Sequence, residues 1–496
     1  MFKINNVRFG PATNSSSTHG VIMFDVPMST ILEKFEILDF NTDYDDYYGW
    51  EDFLLVSRKE KLQYLVSMLY RNITNYITIG GCVEFKLMTE NFELFRKRWV
   101  IKLFNEYLYE DVSEIEIKGI DHQSHIDLPI NIKTGKHSFE FFFDMCKAVL
   151  RSGVIHGGND NSDGSRYGFL GELDEAKVLG NYYETFIAKD GDWYTIFHSG
   201  DKIRISFEEN PKPFTGANSP ELLDVKITNY CEHNCAYCYQ GATSEYIKPA
   251  VSEYTLKSLI NRLAPFEVVL GGGEILQHEE DVKYFTNLVS QINKNISVAV
   301  TVRDPSVLSK LDTKMLHRIS AIGISINTVE DAEIKYTYIR ENLPDLHYDT
   351  SIIFHITMGT ISEKEFYKIM EHLSKQGYSR VLLLGFKETG RGGNYKKLSY
   401  NWLPTAIKKF YAELTSIGVD TKLAQEFQSA FEKMGIVKES YFTKEGYVSA
   451  YVDAVKSAVG ISSYGETYPI ESYEYSVPQK FENKILELMA KVQQGE

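Results

Sequence analysis

Residues Asn229-Tyr230-Cys231-Glu232-His233-Asn234-Cys235-Ala236-Tyr237-Cys238 decide the reading of this chain. Cys231, Cys235 and Cys238 follow a CxxxCxxC spacing, with an aromatic directly before the last cysteine. Three thiolates on one loop can hold three corners of a [4Fe–4S] cluster and leave one iron open to an exchangeable ligand. The preceding run Leu222-Leu223-Asp224-Val225-Lys226-Ile227-Thr228 is apolar and reads as a buried strand, so the loop stands at a strand end. Two plainer readings compete. A structural zinc site also takes clustered thiolates, but it is normally closed by a fourth ligand. His233 is the nearby candidate, and its place between the first two cysteines fits the usual paired spacings poorly. Chance clustering is the third reading.

Moving outward, Ser252 to Leu263 reads as a helix with Leu256, Leu259, Ile260 and Leu263 on one face. Phe266-Glu267-Val268-Val269-Leu270 then reads as a strand, ending in Gly271-Gly272-Gly273-Glu274. Glycines at a strand end let backbone approach a ligand, and a carboxylate suits a cationic amine. The glycine run alone is a weak signal, because glycines often end strands for turn reasons. One strand–helix unit after the cysteine loop, it gains weight, and a zinc site gives no reason for it.

The cysteine loop and the Gly-Gly-Gly-Glu turn together resemble the signature of the radical S-adenosylmethionine (radical SAM) enzymes. The resemblance implies a [4Fe–4S] cluster on Cys231, Cys235 and Cys238, with S-adenosylmethionine (SAM) chelating the open iron. Reductive cleavage of SAM would then release a 5′-deoxyadenosyl radical that abstracts hydrogen from a substrate C–H bond. It implies that Gly272, Gly273 and Glu274 orient the methionyl end of SAM. Ser325 and Asn327 would meet its ribose and carboxylate, and Tyr237 would lie against its adenine. Thr301 and Arg303 are further candidates, each with a plain reading as an ordinary strand-end residue. The family also uses an external electron donor such as a flavodoxin or ferredoxin.

The pattern continues as an α/β partial (β/α)6 TIM-like barrel would require. A helix over His278–Ile292 is followed by a strand over Ile296–Val302, and Pro305 opens another helix. Strands over Ser320–Asn327, Ser351–Met358 and Arg380–Phe386 follow, with a Ser362/Glu365 capping box between the last two. Strands alternating with helices imply parallel pairing, right-handed crossovers and a site at the strand C-terminal ends. His355 reads either as a core histidine or as a substrate contact. Lys387 and Arg391 read either as binders of an anionic group or as solvated strand-end cations.

Length and composition bound the rest. The 496 residues suggest two to four domains. A hydrophobic content of 43% with 13 prolines argues for an ordered globular chain. No apolar run is long enough to span a bilayer, and Met1-Phe2-Lys3-Ile4-Asn5-Asn6 lacks a secretory apolar region. With five cysteines, three of them in one loop, a disulfide framework is not expected; a cytoplasmic location is. The net charge is −15, about −10 of it in residues 1–200, a field that disfavours nonspecific contact with nucleic acid.

The expected divisions are an N-terminal α+β domain over 1–209, a linker over 210–220, the radical SAM partial barrel over 221–418 and a C-terminal extension over 419–496. Helices are expected over Ser57–Leu69, Phe92–Tyr107 and Phe139–Leu150, and strands over Glu114–Ile120, Phe186–Ala188, Trp193–Phe197 and Lys202–Phe207. Three polar strings stand out in the N-terminal part. They are Asn14-Ser15-Ser16-Ser17-Thr18-His19, Asp121-His122-Gln123-Ser124-His125 and His156-Gly157-Gly158-Asn159-Asp160-Asn161. Such groups can build a phosphate or metal pocket, a second site; they are also ordinary turn residues. Tyr447–Val455 with Lys456–Tyr464 resembles the hairpin of the C-terminal extension found in peptide- and protein-modifying radical SAM enzymes. Here it holds no cysteine, and Cys82 and Cys146 alone cannot build a second four-thiolate cluster. The resemblance favours a peptide or protein substrate, with a nucleotide or nucleobase as the alternative, or a non-catalytic Fe–S protein.

Overall fold

The computed structural model describes residues 3–8, 17–18, 47–48, 53–55, 58–79, 89–120, 130–131, 136–152, 155–157, 186–198, 201–208, 210–343, 346, 350–376, 380–410, 416–434, 442–471 and 477–495. Two compact units divide the chain. The first comprises Met1–Lys3, Phe24–Ile196 and Ile205–Lys212, and the second comprises Ile4–Met23, Phe197–Arg204 and Pro213–Glu496.

The second unit is built on a parallel-rich sheet. Its strands are β1 (Leu222–Thr228), β2 (Glu267–Gly272), β3 (Ser297–Val302), β4 (Ile319–Ser325), β5 (Ser351–Thr357) and β6 (Arg380–Leu384). Neighbours pair in parallel in that order, for instance Val225 with Leu270, Leu270 with Val300, and Ser325 with His355. The expected alternation is therefore present, and the sheet continues on both sides of it. β7 (Ser416–Asp420) pairs parallel with β6, and β8 (Ser449–Asp453) pairs parallel with β1. β9 (Ala458–Gly460) turns back antiparallel on β8, which is the hairpin read from the sequence. Ser17–Thr18, inside the first polar string, pairs antiparallel with β7.

Period-2 alternation sorts the side chains of this sheet. Leu223, Val225, Val268, Leu270, Val298, Val300, Ile322 and Ile324 point to the helices and join the main core. On the opposite face Leu222, Val269, Ala299 and Ala321 form a small apolar floor. Further along the same face come Asp224, Gly271, Thr301, Ser325 and His355, so the face turns polar towards the strand C-terminal ends.

Local sequence sets the helices. α1 (Glu253–Leu263) starts where the Ser252 side chain accepts from Thr255 N–H, and it buries the four expected apolar residues. α2 (Glu279–Val289) carries Glu279, Glu280 and Asp281 in its first turn, the end that favours negative charge. α3 (Val329–Asn342) is capped by Thr328, and α4 (Glu363–Gln376) begins with Glu365 N–H donating to Ser362 Oγ at 3.2 Å. After Pro305 the chain forms a 3-10 turn, Pro305–Lys310, then one short helical turn at Thr313–Leu316, in place of one longer helix. Asp304 and Asp312 each cap one piece, so two starts replace one continuous run. α5 (Leu403–Phe410), α6 (Thr421–Lys433) and α7 (Val477–Gln494) complete the unit.

In the first unit, helices Arg58–Ile79, Thr89–Leu108 and Phe139–Ser152 share a core that includes Leu65, Leu69, Phe104, Phe142, Phe143 and Cys146. The expected strand over Glu114–Ile120 is confined to Gly119–Ile120. Its upstream backbone bonds to a helix instead, with Lys118 N–H donating to Ser67 Oγ and Glu116 C=O accepting from Gln63. Strands Phe186–Asp190, Trp193–His198 and Asp201–Ser206 match the expected ones to within two residues. Of the possible second-site residues, Asn14, Ser15, His19, Asp121, His122, Asn159 and Asp160 lie outside the described residues, as do Ser57 and Cys82.

Candidate active site

The strand C-terminal ends of the second unit surround one cavity. Cys231, Cys235 and Cys238 line it together with Tyr237, Gly272, Gly273, Glu274, Arg303, Ser325 and Asn327. The structure thus gathers all nine residues assigned to cluster and cofactor from sequence with the further candidates Thr301, Arg303, His355 and Lys387, and adds Asp224.

The cysteine loop is pinned by its backbone. Cys231 N–H donates to Thr243 C=O at 2.8 Å, Thr243 N–H returns to Asn229 C=O at 3.0 Å, and Cys238 N–H donates to Cys235 C=O at 3.2 Å. Asn234 takes the left-handed conformation at φ 47°, which asparagine tolerates better than most residues. The glycine-rich turn presses against this loop. Gly273 N–H donates to Thr228 C=O and Glu274 N–H to Tyr230 C=O. A Cβ on Gly273 would stand 2.1 Å from Tyr230 O, and one on Gly272, at φ +128°, 2.2 Å from Thr228 O. Only glycine permits that approach.

Glu274 is 3% exposed, and its carboxylate is engaged by the chain itself. It accepts from the backbone N–H of Arg303 at 3.0 and 3.1 Å and of Asp304 at 3.2 Å, while His233 Nε2 stands 3.5 Å away. Its side chain therefore anchors the turn after β3. The sequence had pointed that carboxylate at an amine, and the backbone donors 29 and 30 residues downstream gave no local signal.

A second net joins three strand ends. The Tyr237 hydroxyl meets Arg303 Nη1 at 3.0 Å and the Asn327 side-chain amide at 2.9 Å. With the Asn327 amide turned to satisfy its neighbours, its oxygen accepts from both Arg303 Nη2 and Tyr237, and its nitrogen donates to Ile326 C=O. Burial opposes the Arg303 charge, but Tyr237 and Cys235 hold its pKa above the ordinary value.

Opposite these groups the cavity wall is deeper and also polar. His355 is 1% exposed, and burial, then the nearby Lys387 charge, push its pKa down to about 3, so the imidazole is neutral. Lys387 is buried too. Burial works against its charge, but Tyr239, Asp420, Glu445 and Asp224 keep its pKa above the ordinary value. Its Nζ lies 3.8 Å from Asp420 and within 4.8 Å of the Tyr239 and Tyr464 ring centres. The solvated reading of Lys387 is thereby replaced. Arg391 is not a lining residue; it binds the carbonyls of the cysteine loop.

The donor set fits a metal cluster. Burial raises the Cys231 thiol pKa, the His233 backbone N–H opposes the rise, and Glu274, Cys235 and Cys238 add to it, so a Cys231 thiolate is favoured by a positive centre beside it. Among the described residues no group of three or more His, Cys, Asp or Glu is drawn together as a single-ion site. A cubane instead takes each thiolate on a separate iron.

The sequence model of the Radical SAM superfamily matches residues 225–391. No curated protein matches the chain. Among solved structures, Streptococcus suis SuiB bound to precursor peptide SuiA is similar at 11% identity and TM-score 0.41, covering 74% of this chain and 89% of that one. SuiB bound to S-adenosylmethionine aligns at 11% identity and TM-score 0.38, over 56% of this chain and 69% of that one. The enzyme anSMEcpe, with AdoMet and the Cp18Cys peptide, aligns at 13% identity and TM-score 0.38, over 55% and 84%. The family match runs from β1 through the cysteine loop and the glycine-rich turn to Arg391, so residues 225–391 of this chain are a radical SAM domain, and the chain is an enzyme.

Proposed function

We propose that the protein abstracts hydrogen from a C–H bond of a peptide or protein. The observation that carries this reading is the convergence of three thiols, a glycine-rich turn and the Tyr237–Arg303–Asn327 net on one cavity. Cys231, Cys235 and Cys238 would hold a [4Fe–4S] cluster. When bound there, that group supplies the electron that cleaves SAM and so generates the hydrogen-abstracting radical.

The chain's own residues supply the positioning. Gly272 and Gly273 let the turn pack against the backbone of Thr228 and Tyr230, which would hold it beside the methionyl end of SAM. Glu274 fixes the backbone of the turn after β3, and Arg303, whose guanidinium is held by Tyr237 and Asn327, would bind the SAM carboxylate. Ser325, Asn327 and Tyr237 offer hydroxyl and amide groups for the ribose and adenine. Leu222, Val269, Ala299 and Ala321 form a buried apolar floor on the sheet face, with Val269 reaching the cavity, and this floor would keep water from its base. An external flavodoxin or ferredoxin would deliver the electron.

Peptide is favoured over nucleotide because the hairpin of β8 and β9 attaches to β1 as the cysteine-poor counterpart of the extension seen in peptide-modifying members. Reduced enzyme and SAM, incubated with the peptide or the nucleic-acid fraction of a deuterium-labelled cell extract, test the choice, because the abstracted substrate hydrogen is carried away in 5′-deoxyadenosine. Deuterated 5′-deoxyadenosine with the peptide fraction is expected, and deuteration by the nucleic-acid fraction alone overturns it.

A further inference from the structure

The segment after β6, Lys387-Glu388-Thr389-Gly390-Arg391-Gly392, is folded against the cysteine loop along its whole length. Arg391 N–H donates to Cys238 C=O at 2.9 Å, Arg391 Nε to Cys235 C=O at 2.8 Å and Arg391 Nη1 to Ala242 C=O at 2.5 Å. Thr389 Oγ1 donates to Tyr239 C=O at 3.2 Å. Gly390, at φ +55°, brings its Cα so close that a Cβ would lie 2.4 Å from Tyr239 O and 2.7 Å from Cys238 O. The remaining guanidinium nitrogen, Nη2, is enclosed and makes no hydrogen bond. The side chain of one arginine therefore binds carbonyls on both sides of Cys238 and leaves a buried donor over.

We propose that Arg391 is a positioning residue for the cluster: it locks the Cys235–Ala242 arc, and its fixed charge beside that arc makes the bound cluster easier to reduce. The inference rests on the cluster assignment above. Arginine suits the task because its rigid fork spans two acceptors and its charge is permanent, whereas lysine offers one compact ammonium. A positive charge near an iron–sulfur cluster stabilises the more negative, reduced form, and neighbouring charge is one of the levers that set cluster potential. Carbonyls tied to the guanidinium also cannot swing away when iron leaves, so the loop stays shaped for it.

The test uses full-length protein reconstituted anaerobically, with Arg391→Gln and Arg391→Lys beside the parent. Circular dichroism first establishes that each variant is folded. Redox titration followed by electron paramagnetic resonance reads the midpoint, and release of iron to a ferrous chelator reads the loop. R391Q is expected to show a more negative midpoint and to lose iron roughly tenfold faster, the factor given by about 1.4 kcal/mol of lost hydrogen bonding. R391K is expected to keep the midpoint near that of the parent and still lose iron faster. An R391Q midpoint equal to the parent's overturns the charge effect, and equal iron release overturns the lock. Should R391Q fail to fold, an unchanged release rate in R391K overturns the lock by itself. A parent protein that binds no cluster contradicts the cluster assignment instead, which keeps the two failures apart.

Discussion

Tyr237 shows how much of the site depends on single polar atoms. Its place before Cys238 was legible from the motif; its hydroxyl partners were not, because Arg303 and Asn327 sit on other strands, 66 and 90 residues away. Tyr237→Phe keeps the ring and removes the hydroxyl from this net. Loss of such a bond costs about 1 kcal/mol, so SAM should bind roughly fivefold more weakly while iron content stays unchanged. Calorimetric titration of reconstituted protein with SAM measures it; unaltered affinity would remove the net from SAM recognition. Glu274 teaches the same lesson from the other side, since its motif was plain and its acceptor role was set by backbone far along the chain.

Glu445 carries a pH dependence of its own. Burial lifts its carboxyl from 4.5 to about 8, a rise partly opposed by Tyr464 and Lys387 and reinforced by Asp420 and Asp224. Tyr464 donates to it at 2.6 Å, and its second oxygen is enclosed without a hydrogen bond. The folded chain thus holds a proton that the unfolded chain releases above about pH 4.5. This contribution to stability is complete below that pH and is lost as the pH rises through 8. Glu445→Gln should flatten the fall between pH 5 and 8, seen as denaturant midpoints that match near pH 5 and separate as the pH rises, the variant's being the higher. A parent and variant with parallel pH profiles would contradict the raised value.

At the scale of elements, the strands and helices from β1 to β6 were legible because each is a local pattern bounded by caps or glycines. β7 and β8 were not read as parallel neighbours of that set. Ser416-Ile417-Gly418-Val419-Asp420 is short and interrupted by glycine, and the pairing of β8 with β1 joins segments more than 200 residues apart. Asp420 ties β6, β7 and α6 into one corner. It is 0% exposed, and its Oδ1 accepts from Gly385 N–H at 2.8 Å and from Leu423 N–H, the cap of α6, at 2.9 Å. Asp420→Ala leaves two buried donors without an acceptor and the Lys387 charge with less compensation. A loss of about 3 kcal/mol in unfolding free energy is expected, well beyond an ordinary cap. A loss under about 1 kcal/mol would show that water replaces the carboxylate there.

For the whole molecule, the radical SAM domain was readable because CxxxCxxC and Gly-Gly-Gly-Glu are contiguous strings one strand–helix unit apart. The substrate was not, because no contiguous string marks the rest of the cavity wall: Asp224, His355 and Lys387 meet only across the sheet face. No helix among the described residues is long and apolar enough to cross a membrane. Three-thiolate ligation with an open iron is the premise on which the positioning roles of Glu274, Tyr237 and Arg391 all depend. Anaerobic reconstitution followed by reduction in the presence of SAM tests it most directly, with iron, sulfide and 5′-deoxyadenosine measured on the same sample. The account predicts about four irons and four sulfides per chain and 5′-deoxyadenosine that disappears in a Cys235→Ala variant. A single zinc per chain, or a fully ligated cluster that never yields 5′-deoxyadenosine, would contradict it.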